Sequence, residues 1–285
     1  MLPIELALWN EIKTITDMKY IVKKFDSLNE YSRYLKSDMS DLFKKYGHAA
    51  SEECTKSFTG TSSFEEADNM LKFGDLENLK KIKAELSKIQ VNGGGETKYT
   101  ETYRSFVGYA PHVPSYVSGQ PKTMLQKRVV RETDVKIVNI MYSSAASYGV
   151  DARDILETSV NVMNFIHSLE KQGYSVNLYT MIATSKGNET VSQIVKIKSS
   201  DDYTNLSKVV YPMVNPSFLR RHFFKFMEVT EGITNKDFCH SYGLPVYLKS
   251  EVQPIWEQVG IRVDYYFDFY EAEYQLKQYT KQINK

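Results

Sequence analysis

The 285-residue chain carries 36 basic against 35 acidic residues, a formal charge of +1, so no global field draws it to nucleic acid or a membrane surface. A hydrophobic fraction of 42% at this length supports a core burying roughly 75% of the unfolded surface, in one large domain or one and a half. Two distant cysteines, Cys54 and Cys239, exclude a disulfide framework or zinc site and suit a reducing cytosol, and no apolar run approaches the ~20 residues of a membrane span.

Residues 1–9 are apolar but carry Glu5 and lack a basic start, which reads as a short docking helix rather than a signal peptide. Residues 19–26 suit a short strand. Ser27 and Glu30 then form a capping box, the hydroxyl accepting the Glu30 amide while the carboxylate reaches back, and open a helix to about residue 36. Residues 37–60 show no periodicity. A second capping box, Ser62-Ser63-Phe-Glu65-Glu66, precedes Phe64, Ala67, Leu71 and Phe73 at helical spacing, with Gly74 closing. Leu79, Ile82, Leu86 and Ile89 mark one face of a further helix over residues 76–89. The triplet Gly93-Gly94-Gly95 reads as a linker, because no strand-to-helix context surrounds it as a phosphate cradle requires.

Residues 106–124 hold Pro111, Pro114, Gly119 and Pro121 and predict extended, irregular structure. Residues 127–131 suit an edge strand before the central one. The organising stretch follows. Residues 135–142 form a β-branched-rich run expected of a strand buried on both faces. A Ser/Ala/Gly loop over 143–149 leads to Asp151, which opens a helix whose stripe is Ile155, Ser159, Val162, Ile166 and Leu169. Gly173 closes it and residues 174–183 form the next strand, so the unit is a right-handed βαβ crossover with parallel strands. A hairpin loop over 185–189 leads to a strand over 190–198, and Ser199 to Asp202 cap a helix to about residue 210. Asn215-Pro216 starts another helix through Phe226. A strand over 243–248, a short helix over 251–258, a strand over 261–267 and a helix over 270–283, with Leu276 and Tyr279 inward, complete the chain. The 21 tyrosines read mainly as packing with a wet tip, a share of them at interfaces.

From residue 135 the order is strand, helix, strand, hairpin strand, helices, strand, helix, strand, helix. Over about half the chain this resembles the von Willebrand factor A-type fold, an open doubly wound sheet with one short antiparallel edge strand after the second strand. That family binds a divalent cation through an Asp-x-Ser-x-Ser motif directly after its first strand. The equivalent stretch here, Asn139-Ile-Met-Tyr-Ser143-Ser-Ala-Ala-Ser147, has the serines and no aspartate. Hard cations favour carboxylate oxygen, so no metal and no cofactor are expected.

Three further motifs lie between residues 55 and 185: Gly60-Thr61-Ser-Ser63-Phe64-Glu-Glu-Ala67, Gly119-Gln-Pro121-Lys-Thr-Met124 and Leu169-Glu170-Lys-Gln-Gly173-Tyr174. They resemble an uncharacterised domain family common in tailed-phage and prophage genomes. The resemblance implies a viral origin, hence a host-cytoplasmic or virion-associated setting, and brings no established activity.

In doubly wound sheets ligands lie beyond the carboxyl ends of the strands, where the strand order switches. Here Ser143, Ser144, Ser147, Asp151 and Asp154 would line that lip, with Ser250 and Glu251 joining them. Hydroxyls and helix amides could hold phosphate or carboxylate there, although Asp151 and Asp154 also complement the helix dipole without any ligand. His48, His112, His167, His222 and His240 are isolated, and Cys239-His240 are adjacent, which rarely aims a nucleophile at its base. Asp264 and Asp268 read as solvated carboxylates. For nucleic acid the candidates are Lys122, Lys127, Arg128 and Arg131, and then Arg220, Arg221 and Lys225, interleaved with aromatics. On a helix, however, Leu219, Phe223 and Phe226 form a core stripe that leaves those cations on an ordinary solvated face.

Together these readings predict an α/β protein: an open, mostly parallel, doubly wound sheet, von Willebrand A-like or Rossmann-like. The expected division is a mainly helical region over residues 1–105 and an α/β domain over 106–285. With no catalytic constellation in the sequence, the expected function is non-enzymatic, through contact with a protein partner: itself, phage or host. Its mark would be an exposed Tyr/Phe patch of more than a few hundred Å². A nucleotide-binding protein or enzyme using the serine lip, and a nucleic-acid binder using the basic clusters, are the alternatives. No membrane association is expected.

Overall fold

The computed structural model describes residues 18–47, 49–88, 99–130, 136–145, 150, 152–201 and 206–283. Expectations placed on residues 1–9, His48, the glycines at 93–95, Arg131, Ser147 and Asp151 fall outside them. The strands are β1 (Lys19–Phe25), β2 (Tyr99–Ser105), β3 (Ala110–Pro111), β4 (Met124–Val130), β5 (Ile137–Ser143), β6 (Ser175–Lys186), β7 (Glu189–Lys198), β8 (Leu244–Pro245) and β9 (Tyr265–Phe267). The helices are α1 (Leu28–Tyr34), α2 (Asp41–Tyr46), α3 (Ala50–Glu53), α4 (Lys56–Thr59), α5 (Phe64–Phe73), α6 (Leu76–Lys88), α7 (Val113–Val117), α8 (Ala152–Lys171), α9 (Leu206–Val214), α10 (Phe224–Val229), α11 (Phe238–Ser241), α12 (Lys249–Gln258) and α13 (Ala272–Ile283). A π-helical turn, Phe218–Phe223, leads directly into α10.

The main sheet is mixed but mostly parallel, in the order β1-β7-β6-β5-β9, with β8 against the far end of β6. The β5–α8–β6 crossover is parallel, with Ile137 opposite Ser175 and Ser143 opposite Met181. The stripe residues Ile155, Ser159, Val162, Ile166 and Leu169 of α8 are all buried. Strand β7 returns antiparallel to β6, with an irregularity between Leu178 and Tyr179. That bulge places Ile197 between the partners of two consecutive β6 residues and turns Lys198 to the face of Leu178, where its ammonium meets Glu170 at 3.0 Å.

Period-two alternation explains the layers. Val138, Ile140 and Tyr142 of β5, with Val176, Leu178 and Ile182 of β6, face a thick helical layer that includes α1, α5, α8, α9 and α10. Met141, Tyr179, Met181 and Ile194 face the other way, onto Val252, Ile255 and Trp256 of α12. Both capping boxes form: the Ser27 and Ser63 hydroxyls accept the Glu30 and Glu66 amides at 3.1 Å each. The carboxylates reach one residue further back than expected, to the amides of Asp26 at 2.8 Å and Ser62 at 2.6 Å.

Three expectations are corrected. Strand β7 is not an edge, because β1 pairs with it in parallel, from Lys19 opposite Glu189 to Phe25 opposite Val195. The expected boundary at residue 105 runs through a shared core, since Phe25, Tyr31, Leu71 and Ile82 belong to the same cluster as Ile140 and Phe226. Residues 124–130 do not edge the main sheet; β4 is the middle strand of a separate three-stranded sheet, order β2-β4-β3. The β1–β7 correction comes from pairing between strands distant in sequence, which local periodicity does not carry.

Candidate functional site

At the leaving end of β5, where the strand order switches, the lip exists, but its Ser144 hydroxyl is spent on the fold. The Ser144 hydroxyl lies 2.6 Å from that of Thr180 and donates to the Pro212 carbonyl at 2.9 Å. Ser143 is fully buried beside Tyr266. Asp154 is exposed in the first turn of α8, and Ser250 and Glu251 are exposed in the first turn of α12. The hollow among Tyr142, Ser144, Ile155, Pro212, Leu219 and Phe269 has room for about 20 Å³. That is on the order of one water, against the ~300 Å³ or more of a small-molecule site. As far as the described residues form it, the lip does not fit a nucleotide.

A roomier hollow of about 150 Å³ lies at the leaving ends of β1 and β7, lined by Lys72, Lys196, Lys198 and Lys208 with Asp26 and Ser27. Its charge is largely consumed. Lys72 pairs with Asp68, Lys198 with Glu170, and Lys196 lies 5.4 Å over the Tyr179 ring.

The second basic cluster lies mostly inside the fold. Arg221 has no exposed surface: its Nε donates to the Thr61 hydroxyl at 2.8 Å and its amino groups to the carbonyls of Ser51, Cys54 and Thr61 at 2.8–2.9 Å. It clamps the loop over 49–61 and cannot meet a phosphate. Arg220 donates to the Phe58 carbonyl and stacks on the Phe58 ring, and Lys225 bonds Glu52 at 2.8 Å. Phe223 and Phe226 are buried as expected, but the π turn and the overlying loop enclose Arg221 as well.

Behind this clamp, Glu228 is buried and accepts the Ser51 amide at 3.1 Å, the Ser51 hydroxyl at 2.7 Å and the Tyr242 hydroxyl at 2.7 Å. Burial pushes its carboxyl above the usual range. His222, 2.9 Å from the Tyr211 hydroxyl through Nδ1, is driven by burial down to about 3 and stays neutral in the fold. At the entering edge of β7, burial alone would raise Glu189. Lys19, the Thr234 hydroxyl and the amides of Asn235 and Thr234 outweigh it and hold the carboxyl at about 2. Asp264 and Asp268 are not simply solvated either. Asp264 accepts the Asn139 amide at 2.9 Å, while buried Asp268 accepts the Tyr270 and Glu271 amides ahead of α13. None of these groups lines either hollow.

The surface that remains is the arm, residues 99–130. Lys122 and Lys127 are exposed on it, lying 5.9 Å over the Phe106 ring and 5.1 Å over the Tyr109 ring. Arg128 belongs to β4 by its backbone. Phe106, Val107, Tyr109, Val113, Tyr116 and Val117 are all exposed, Tyr116 by 74% and Val117 by 79%. Among the arm's described side chains only Ser115 is buried. It is held by a polar knot: Arg104 donates to its hydroxyl at 3.1 Å and His112 Nδ1 lies 2.7 Å from it. None of the arm's described side chains joins either hydrophobic cluster of the main sheet. Gly108 is forced by close approach, since a Cβ there would sit 2.0 Å from the Leu125 carbonyl oxygen. The sequence reading missed this surface, whose only signal was six large apolar residues within a Pro-rich, aperiodic stretch.

Among the described residues no three His, Cys, Asp or Glu side chains gather as a cation site, and no helix is long and apolar enough to cross a membrane. No curated protein and no solved structure matches the chain. The model of a family described as "Domain of unknown function (DUF7192)" matches residues 10–285, and the chain belongs to that family.

Proposed function

We propose that this protein is a non-enzymatic interaction and assembly component whose docking element is the arm of residues 99–130. The observation that carries the reading is the arm's inverted polarity: six large apolar side chains face solvent while a serine is buried. Exposed, clustered apolar surface rimmed by charge marks contact sites. The motif resemblance to tailed-phage and prophage domains supports an infected-cell or virion setting. The β5–α8–β6–β7 succession supports a von Willebrand A-like core, with β1 beyond β7 as a departure.

The test is a Tyr116→Ser/Val117→Ser variant of the full chain, compared with wild type in sedimentation and in capture of host or phage proteins. We expect an unchanged melting temperature and loss of every protein contact the wild type makes. Contacts that survive the substitutions would overturn the reading.

One observation favours a second reading, single-stranded nucleic acid: lysines lie over aromatic rings on the exposed arm. Fluorescence anisotropy with an oligonucleotide decides it. Binding that weakens steeply with salt and disappears on Lys122→Ala/Lys127→Ala would replace the protein partner with nucleic acid.

A further inference from the structure

We propose that the arm of one copy docks on the leaving edge of the main sheet of a second copy, so that the chain assembles head to tail. This rests on the arm being a docking element and names its occupant.

Charge is divided unequally along the chain. The arm holds Arg104, Lys122, Lys127 and Arg128 against Glu101 alone, net +3, so with the whole chain at +1 the remainder carries −2. A basic apolar surface calls for an acidic apolar receiver, and the body has one. At the leaving edge of the sheet, Leu244 (70% exposed), Leu248, Tyr270 and Tyr274 (63% exposed) are open to solvent. The Tyr247 and Tyr270 rings meet at 4.3 Å and tie the β8–α12 segment to the start of α13. Exposed Glu251 and Glu271 lie in the same two segments. Both are close enough to the buried Tyr266 that, after burial and Asp268, their charges help push its hydroxyl up. Lys249 and Lys277 also belong to these segments. Glu273 is 4.0 Å from Lys277 and Lys249 offsets one of Glu251 and Glu271, so these groups together carry a net charge of −1.

Topology then sets the mode of assembly. The arm precedes the entering end of β5, whereas the receiver follows the leaving end of β9, which runs parallel to β5. Root and receiver therefore belong to opposite edges of the sheet. A contact between two different surfaces is heterologous and generates rings or open chains rather than closed two-fold dimers.

Sedimentation velocity of the full chain across rising concentration tests this. The expected result is mass growing past a dimer, less so at high salt because rim charges are screened. Tyr116→Asp/Val117→Asp in the arm, or Glu251→Lys/Glu271→Lys at the edge, should each weaken association by about tenfold or more. Mixing these two variants leaves one intact arm and one intact receiver, so growth should stop at a one-to-one dimer. Placing Lys122→Glu/Lys127→Glu and Glu251→Lys/Glu271→Lys in the same chain should restore association. A chain that stays monomeric overturns the proposal, as does an edge variant that associates like wild type. If such a monomer still captures another protein through the arm, the docking reading stands and only the second copy falls.

Discussion

In the main sheet, β5 and β6 send alternate side chains into two buried faces. Their buried polar neighbours are largely satisfied, with Arg221 making all its bonds inside and Glu228 bound by Ser51 and Tyr242. The arm does the reverse. Six large apolar side chains in the arm's loops and on α7 face solvent, and Ser115, Arg104 and His112 form a polar knot. A sheet of three strands needs a hydrophobic face or a packing partner to be stable by itself. The body meets that requirement within its own fold; the arm's large apolar side chains are turned outward. The contrast separates residues that hold the fold from residues available for contact.

The contrast breaks most visibly at Arg221. Arg221→Met should cost about 3–5 kcal/mol in urea unfolding, because the carbonyls of Ser51, Cys54 and Thr61 lose their buried donor. A loss below about 1 kcal/mol would mean that the loop over 49–61 holds without its clamp.

Acid should also act on the body. His222 stays neutral in the fold down to about 3, while in the unfolded chain it takes a proton near 6.5. Stability is therefore full above pH 6.5 and falls as pH drops toward 3, by about 1.4 kcal/mol per unit at most. Glu189, ordinarily 4.5 and here about 2, adds a second loss as pH falls from 4.5 toward 2. Denaturant melts at stepped pH would show both limbs, and His222→Phe should flatten the upper one.

Gly108→Ala sharpens the comparison from the arm's side. A Cβ 2.0 Å from the Leu125 oxygen dislocates β3 from β4, so the Tyr109 amide, bonded to that oxygen at 2.9 Å, should exchange faster with deuterium. The body's melting should move by less than about 0.5 kcal/mol. Smallest of all, Phe106→Ser, at a side chain 68% exposed, should leave stability within about 0.5 kcal/mol of wild type. A larger loss would mean that Phe106 is packed in solution.

The parts of the fold readable in sequence are those with a local cause. The β-branched apolar run over residues 137–142, the 3.6-residue stripe of α8 and the serine caps of α1 and α5 all act within a few residues. What escaped depends on distant partners. Nothing near Lys19 announces β7, and nothing near Arg221 announces that residues 51–61 will wrap it. That Ser144 directly follows β5 has a local cause, whereas its bond to Thr180 depends on β6. The arm was hardest, because Pro111 and Pro114 interrupt periodicity and its outward apolar face inverts the usual rule.

The pairing of β1 with β7 also sets a schedule for synthesis. Lys19 and Glu189 are 170 residues apart. At about 5–20 residues per second, β1 leaves the ribosome roughly ten to thirty seconds before its partner exists. In that interval it is a bare strand, open to pairing with any other nascent chain. Its Lys19, Lys23 and Lys24 make it a poor template for such mispairing, so the charges on β1 protect the newborn chain as well as the finished fold.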